Sequence, residues 1–356
     1  MSRSTAAIYP YDADACTIVR HGGLLPYQIT ATIAPEGFGY CGQNAGTLDG
    51  GCDAGHVVLN DFEKGVRDVD WVLFNNASDS MSEKILKALE YKKNVALLWR
   101  LGEEKRREVE ERCKEANVQF RDFSQPSSSA VKVQQNDELY EMDVPVVCVC
   151  GMSDTTLKFE IQAALRESLC KMGYKVSQIG SREYASLFSM NNFPQYMFKA
   201  KGEYSKILYF NHLIKEIEVA EKPDVLIVGI PGGIIPFDKS FNNEFAWLAY
   251  LISNSVTPDV TIFSLSYNSY SENFGEEMQR YCTYRYGFEN LFFVLSNVYQ
   301  EIGDRNLKGK KYIRIDSQAL HQTIEQNGFS TFDILSPESA EKLAVSVVEE
   351  LSSNLS

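Results

Sequence analysis

Apolar residues in the first part of the chain fall into short runs, separated by segments in which they recur every three or four positions. The runs predict strands at Ile29–Ile33, Trp71–Phe74 and Val95–Leu98. Between and after them, Ser82–Tyr91 has an apolar helical face, and Glu103–Asn117 mixes acidic and basic residues at helical spacing. Because strands that alternate with helices pair in parallel, the pattern predicts a Rossmann-like α/β domain over residues 1–123.

A second series of elements begins at Val144–Cys150, whose continuous apolar run is typical of a strand buried on both faces. Further strands are predicted at Lys175–Ile179, Val225–Val228, Val260–Leu265, Leu291–Leu295 and Tyr312–Ile315. Helices are predicted at Phe159–Met172, Tyr204–Ala220, Asn243–Asn254, Phe274–Tyr286, Gln318–Asn327 and Pro337–Leu355. The pattern predicts a parallel sheet with helices on both faces over residues 144–356.

The segment 124–143 between the two series contains few apolar residues and includes Ser-Gln-Pro-Ser-Ser-Ser. This composition predicts an interdomain linker, which could carry one edge strand at Ala130–Val133. The fold class predicted from the whole pattern is therefore α/β with two domains.

Composition narrows the class of protein further. The 356 residues are 44% hydrophobic and 23% charged, which is apolar enough for two buried cores and excludes wholesale disorder. The net charge of −13 gives no general attraction to nucleic acid or to an anionic membrane. We find no secretory segment, no apolar run that suits a membrane span and no Cys-x-x-Cys pair, so we expect a cytoplasmic protein with reduced thiols. Cys148 and Cys150 alternate with valines and are expected in the core.

The loop Gly151-Met-Ser-Asp-Thr-Thr-Leu-Lys158 lies between a predicted buried strand and a predicted helix, where backbone N–H groups can face an anion. The standard phosphate loop is Gly-x-x-x-x-Gly-Lys-Ser/Thr, and a form one residue longer occurs in the dethiobiotin synthetase group. Against the longer form, Gly151 and Lys158 align. Leu157 replaces the second glycine, and Phe159 replaces the hydroxyl residue that binds magnesium. The loop thus predicts that residues 144–356 form a P-loop NTPase-like domain with a degenerate phosphate loop.

These departures leave three interpretations of the loop open. Leucine does not readily adopt a positive φ, phenylalanine has no oxygen for Mg²⁺, and Asp154 adds a negative charge. The loop is then a turn that has lost its nucleotide, a weakened phosphate or coenzyme site, or an active ATPase. If a phosphate binds, we expect Lys158 to hold it, with the backbone and hydroxyls of a short segment around it, namely Gly151, Ser153, Thr155 and Thr156.

The segment Pro223–Asp238 predicts a buried strand that runs into the pair Gly232-Gly233. The strand tip carries no carboxylate that could reach a metal ion, and the nearest acid is Asp238. The two glycines indicate either a close approach of the backbone to a ligand, which would lie beside the phosphate loop, or a tight turn.

Other candidate chemistry is weaker. The first domain contains thiols and imidazoles that could bind zinc, at Cys16, His21, Cys41, Cys52 and His56. Their spacing in the sequence matches no compact zinc-binding motif, so no metal site is predicted. The glycine-rich loops lack Gly-x-Gly-x-x-Gly after a strand, which gives little support for a dinucleotide. The sequence contains no Gly-x-Ser-x-Gly motif, so a standard serine hydrolase is disfavoured. The hydroxyls of Ser264–Ser271 either line the cleft or belong to an ordinary polar loop.

Two segments carry a resemblance to a known family. The phosphate loop and Gly173-Tyr-Lys-Val-Ser-Gln-Ile-Gly180 resemble those of peptide maturation system proteins, which occur beside radical-SAM maturases in clostridial natural-product clusters. Family members tend to show Gly-Lys-Phe-Thr in the loop and Gly-Tyr-Lys-Val-Gly-Gln-Leu-Gly after it. This chain departs from the family at Leu157 and Glu160. Shorter resemblances lie at Ile8–Asp12, Asp68–Trp71 and Asn191–Gln195, and the two-domain plan is more distantly similar to the D-glutamate N-acetyltransferase group.

The resemblance implies an accessory protein in the maturation of a ribosomally synthesised peptide, which binds a phosphate-bearing ligand or the precursor peptide. Two alternatives stay open. One is an acyl- or phosphoryl-transfer enzyme that uses coenzyme A (as acetyl-CoA) or ATP. The other is a non-catalytic scaffold for a radical-SAM maturase.

Overall fold

The computed structural model describes residues 3–76, 81–126, 132–134, 136–199, 202–235, 243–301 and 311–353. The chain divides into two compact units. The first comprises Met1–Gln125 and the insertion Glu183–Asn192, and the second comprises Pro126–Arg182 and Phe193–Ser356. Each unit contains a parallel sheet, so the predicted α/β class is confirmed. The first unit is discontinuous in sequence, which the hydrophobic pattern does not indicate.

The first unit is built on a six-stranded sheet in the order β3-β2-β1-β4-β5-β6, in which every pairing is parallel. Its elements are β1 (Ser4–Tyr9), α1 (Cys16–Arg20), β2 (Tyr27–Ile33), β3 (Val58–Leu59), α2 (Phe62–Val66), β4 (Trp71–Phe74), α3 (Met81–Glu90), β5 (Asn94–Leu97), α4 (Glu103–Glu115) and β6 (Phe120–Asp122). This strand order is that of the Rossmann fold. As predicted, α3 buries one apolar face, whereas α4 is a charged outer helix in which Cys113 alone is buried.

The second unit is built on a parallel sheet in the order β15-β12-β11-β7-β10-β8. Its elements, together with β9 of the insertion, are β7 (Val146–Gly151), α5 (Lys158–Lys171), β8 (Val176–Gly180), β9 (Asn191–Asn192), α6 (Glu203–Glu221), β10 (Val225–Gly229), α7 (Trp247–Ser253), β11 (Val260–Leu265), α8 (Phe274–Tyr286), β12 (Leu291–Leu295), β13 (Val298–Glu301), β14 (Lys311–Arg314), α9 (Ser317–Gln326), β15 (Thr331–Phe332) and α10 (Pro337–Ser353).

Helices cover both faces of the second sheet, as the sequence predicts. On one face, residues of α5 and α10 pack with Val147 and Val149 of β7. On the other face, residues of α6 to α9 pack with Cys148 and Cys150, which are fully buried as expected. The central strand β7 is buried along its whole length, which explains its continuous apolar sequence.

Two predicted elements of the second unit differ in the structure. The run Tyr312–Ile315 was expected in the main sheet, but β14 pairs antiparallel with β13 in a separate two-stranded ribbon. Tyr312 and Ile313 are about half exposed, so this run has the composition of a strand but not the burial of a central one. The helix expected from Asn243 is preceded by a 3-10 turn over Asn243–Ala246, and α7 begins only at Trp247. Asn243, Phe245 and Ala246 have positive φ, which a right-handed α-helix does not accommodate.

The polar segment between the two predicted domains packs against α6 within the second unit. Asn211 pairs with both backbone groups of Tyr140, and His212 Nε2 lies 2.9 Å from the carbonyl of Glu138. Glu218 accepts hydrogen bonds from two backbone N–H groups, those of Asp143 and Val144. The segment has few apolar residues because it binds to α6 through hydrogen bonds. Of the possible edge strand 130–133, residues 130 and 131 lie outside the described residues, and 132 and 133 are not in a strand.

Within the described residues, no helix has both the length and the apolar composition that a membrane crossing requires.

Candidate functional site

The candidate loop lies at the carboxyl end of the central strand of the second sheet. β7 ends at Gly151, α5 begins at Lys158, and the strands β10 and β11 flank β7 on either side. In open α/β sheets, ligands bind outside the carboxyl ends of the strands, so the loop occupies the position at which this architecture places a ligand.

Lys158 is buried inside the loop, with 5% of its surface exposed. Its Nζ donates to the backbone carbonyl of Ser153 at 2.5 Å and lies 3.9 Å from Oδ1 of Asp154. The Asp154 side chain is 61% exposed, so water screens much of this second interaction. The ammonium group thus points into the loop, where an anionic ligand would meet it.

Leu157 adopts the left-handed conformation immediately before α5, with φ 43° and ψ 20°. The expectation that leucine would avoid a positive φ is therefore wrong for this position. A left-handed residue followed by a helical one gives a concave arrangement of backbone N–H groups of the kind that binds anions. The conformation costs roughly 1–2 kcal/mol for a residue with a Cβ. Packing of the Leu157 side chain against the apolar cluster beneath α5 offsets part of this cost.

Hydrogen bonds to β11 and between residues of the loop hold the loop in its conformation. The Thr156 hydroxyl donates to the carbonyl of Ser153 at 3.0 Å, and the Ser264 hydroxyl donates to the carbonyl of Thr156 at 2.5 Å. The hydroxyls of Ser153 and Thr155 pair with each other at 3.0 Å. A Cβ on Gly151 would overlap the Thr156 hydroxyl, so glycine is required here by the fold of the loop. Thr156 is fully buried and supports the loop from within.

Gly232 and Gly233 form the turn that follows β10 and packs against the loop. Gly232 has φ +78°, and a Cβ on Gly233 would overlap the carbonyl of Met152. The side chain of Asn243 donates to that same carbonyl at 2.7 Å and also to the carbonyl of Ile235. The close approach for which Gly233 is needed is thus an approach to the phosphate loop itself. Asp238, the nearest acid in the sequence, lies outside the described residues.

The residues around the loop do not fit a magnesium–nucleotide complex. Phe159 is buried and has no oxygen ligand, and β10 ends at Gly229, followed by Ile230, without a carboxylate. Among the residues that the structure describes, no group of three or more His, Cys, Asp and Glu side chains is arranged to hold a metal ion. The loop fits an anion held by a cation and backbone N–H groups, without metal ligands.

The corresponding position in the first unit has a different character. β1 leads into Pro10-Tyr11-Asp12, with no glycine, and the Asp12 carboxylate accepts from the N–H groups of Asp14 and Ala15 and from Asn76. In a Rossmann fold, the pyrophosphate of a dinucleotide binds at this crossover, and a carboxylate at the same place would repel it.

The thiols and imidazoles of the first unit divide between its interior and its surface. Cys16 and His21 are buried, whereas Cys41 and Cys52 are exposed. Burial raises the pKa of the Cys16 thiol to about 12.

Sequence reasoning missed Gln162 and Asn243. Gln162 is fully buried on α5; its amide donates to the carbonyl of Lys158 at 3.0 Å and to the hydroxyl of Ser181 at 2.9 Å. A Cβ on Gly229 would overlap this amide, which explains the glycine at the end of β10. The only signal in the sequence was a glutamine among the apolar residues of a helix. Asn243 gave none, because its partner in the loop, Met152, lies 91 positions away in the sequence.

No protein-family model matches the chain, and no curated protein matches it. Among solved structures, the chain is similar to a DUF1611 family protein from Anabaena variabilis, with 12% identity, a TM-score of 0.61 and coverage of 97% of this chain and 99% of that one. It also aligns with an apo-form GTPase from Pyrococcus abyssi, with 13% identity, a TM-score of 0.32 and coverage of 59% and 98%. The Anabaena protein thus shares the two-unit α/β fold along nearly its whole length, whereas the second TM-score is too low to support any conclusion.

Proposed function

We propose that the second unit binds a phosphate group of a small-molecule ligand, such as a nucleotide or coenzyme A, at the loop Gly151–Lys158 without a metal ion. The observation that carries the proposal is the buried ammonium of Lys158, held inside a strand–loop–helix turn at the carboxyl end of the central strand. Burial removes the hydration of a cation, and an anionic phosphate is a strong charge-assisted hydrogen-bonding partner for a buried ammonium group.

The same site argues against phosphoryl transfer. Catalysis by phosphate-loop enzymes depends on a metal ion that bridges the phosphates. Phe159 stands where the metal-binding hydroxyl would be, and the end of β10 supplies no acid. We therefore favour binding and positioning of the ligand over its hydrolysis.

The test is a ligand panel on the full chain, with inorganic pyrophosphate, ADP, ATP and acetyl-CoA, each in the presence of Mg²⁺ or of EDTA. We expect at least one to raise the melting temperature equally in both conditions; a ligand at 100 times its Kd stabilises by about 2.7 kcal/mol. Lys158→Ala should abolish the shift. Lys171→Ala, which removes an exposed lysine at the other end of α5, is the matched control and should retain it. No shift with any ligand would refute the proposal.

For the role in the cell, we propose an accessory function in the maturation of a ribosomally synthesised peptide. The resemblance of the phosphate loop and of Gly173–Gly180 to peptide maturation system proteins supports this role. Affinity purification of the tagged chain from its own host should recover a radical-SAM maturase or a precursor peptide. If neither is recovered and neither is encoded beside the gene, this role is refuted, while the phosphate site stands or falls by the ligand panel. Turnover of acetyl-CoA or ATP would instead favour the transferase alternative.

A further inference from the structure

Ser266 carries a buried hydroxyl beside the candidate loop. The residue lies directly after the last residue of β11 and is 7% exposed. Its Oγ has no hydrogen-bonding partner within the part of the chain that the structure describes. A buried polar atom without a partner is costly and rare in folded proteins, so its presence calls for an explanation.

The side chains of β11 alternate between the two faces of the sheet, and this alternation bears on the direction of the Ser266 hydroxyl. Val260 and Ile262 pack in the apolar cluster on the α5 side of the sheet, whereas Phe263 and Leu265 pack on the opposite side. Ser264 continues the first series, and its hydroxyl accordingly reaches the carbonyl of Thr156 in the loop. Alternation continued by one residue past β11 would place Ser266 on the same face as Ser264, the α5 side.

Backbone hydrogen bonds hold the chain on either side of Ser266. The N–H of Tyr267 donates to the carbonyl of Val298 at 2.9 Å, and the N–H of Ser296 donates to the carbonyl of Leu265 at 2.9 Å. Both neighbours of Ser266 are therefore held against the segment 296–298.

Contacts across the strand pair hold Ser266 next to the loop. Ser264 is in register with Gly151, and the N–H of Met152 donates to the carbonyl of Ser264 at 2.9 Å. The hydroxyl of Tyr270 donates to the carbonyl of Ser266 at 2.6 Å and lies 3.3 Å from the Met152 sulfur. One phenol thus ties Ser266 to the second residue of the loop.

We propose that the Ser266 hydroxyl is a second ligand-binding group of the phosphate site and donates a hydrogen bond to an anionic oxygen of the phosphate held by Gly151–Lys158. The inference rests on the proposed function and adds a binding residue to the same site. A serine hydroxyl can donate one hydrogen bond, and a charged phosphate oxygen is a strong acceptor for it.

The experiment measures pyrophosphate binding by calorimetry in EDTA for the full chain and two variants. Ser266→Ala should weaken binding about tenfold and leave the melting temperature of the ligand-free protein unchanged or higher, because it removes a buried hydroxyl without a partner. Thr261→Val is the matched control. Thr261 is a fully buried residue of the same strand whose hydroxyl also has no partner among the described residues, but it lies on the opposite face, away from the loop. This control should bind like the wild type.

Two further outcomes separate the two proposals. If Ser266→Ala binds pyrophosphate like the wild type while Lys158→Ala does not bind, the role of Ser266 is overturned and the phosphate site stands. If the wild type binds neither pyrophosphate nor any ligand of the panel, both are overturned. An equal loss of affinity in Ser266→Ala and Thr261→Val would show that the hydroxyl acts only through the fold.

Discussion

The Nζ atom of Lys158 donates to the backbone carbonyl of Ser153 at 2.5 Å, across the loop that connects β7 to α5. The same carbonyl accepts the hydroxyl of Thr156 at 3.0 Å. One oxygen of the loop therefore organises both its charged residue and its internal support. An anion that enters the loop would share or replace this acceptor, so the affinity of the site depends on the charges that surround Lys158.

Asp154 is the first such charge, since its carboxylate lies 3.9 Å from Lys158 Nζ. We expect Asp154→Asn to tighten pyrophosphate binding two- to fivefold, because it removes a negative charge that repels the ligand; the effect is modest since the side chain is exposed. Titration calorimetry at low and high salt checks this, and the gain should shrink as salt rises. Glu167→Gln, further along α5, should have no effect; equal affinity of Asp154→Asn and wild type would contradict the prediction.

Leu157 gives a prediction whose sign is opposite to the usual one. In the middle of a helix or strand, a protein with glycine is less stable than one with alanine by roughly 0.5–1 kcal/mol. At φ 43° the Cβ is strained, so Leu157→Gly should be more stable than Leu157→Ala by about 1 kcal/mol. Urea denaturation of the two variants measures the difference. Both lose the same apolar contacts, so an alanine variant as stable as the glycine variant would show that the left-handed conformation is not adopted.

Gly233 is expected to tolerate no side chain. Gly233→Ala would force a Cβ against the carbonyl of Met152, and overpacking of this kind costs about 1–3 kcal/mol. Thermal unfolding should show the loss, and phosphate binding should weaken with it because the turn supports the loop. Gly202→Ala is the control, since a Cβ there meets no atom within 4 Å. If the two variants unfold at the same temperature, the turn does not pack as described.

Asn211 should be essential for docking of the polar segment on α6. It is 1% exposed and bonds the N–H and the carbonyl of Tyr140 as well as the carbonyl of Ser255. Asn211→Ala leaves these backbone groups unpaired, at a cost of about 1–3 kcal/mol for each one that stays buried. Limited proteolysis should then cleave near Tyr140 faster than in the wild type. Asn254→Ala, which removes an exposed asparagine, should leave the cleavage rate unchanged.

The cysteines should divide into two classes of reactivity towards a maleimide. Cys41, Cys52 and Cys170 are exposed, and the other five are buried. Burial raises the pKa of the Cys148 thiol to about 12 and that of Cys113 to about 11. Because the thiolate is the reactive form, a raised pKa lowers its fraction at pH 8 and slows labelling further. Mass spectrometry should find up to three labels on the native chain and eight only after unfolding; early labelling of Cys148 would contradict its burial.

Local patterns were sufficient for most elements of the fold. β4, β11, β12 and α8 have the bounds that the sequence predicts, because their burial shows in composition and period alone. The loop Gly151–Lys158 was also visible, since a buried strand followed by glycine, hydroxyl residues and lysine is a local signal. The lack of a metal-binding hydroxyl at position 159 is also evident from the sequence, because phenylalanine has no oxygen in its side chain.

What the tertiary structure decided depends on residues far apart in sequence. Only the fold brings the Ser264 hydroxyl to the carbonyl of Thr156 and Asn243 to the carbonyl of Met152, because strand order and register bring these positions together. Leu157 shows the same limit at a single residue: its identity opposes a positive φ, yet it adopts one and packs against the core beneath α5. The sequence by itself determined which elements form and that glycine, hydroxyl residues and lysine follow β7, whereas long-range packing determined which side chains surround that loop.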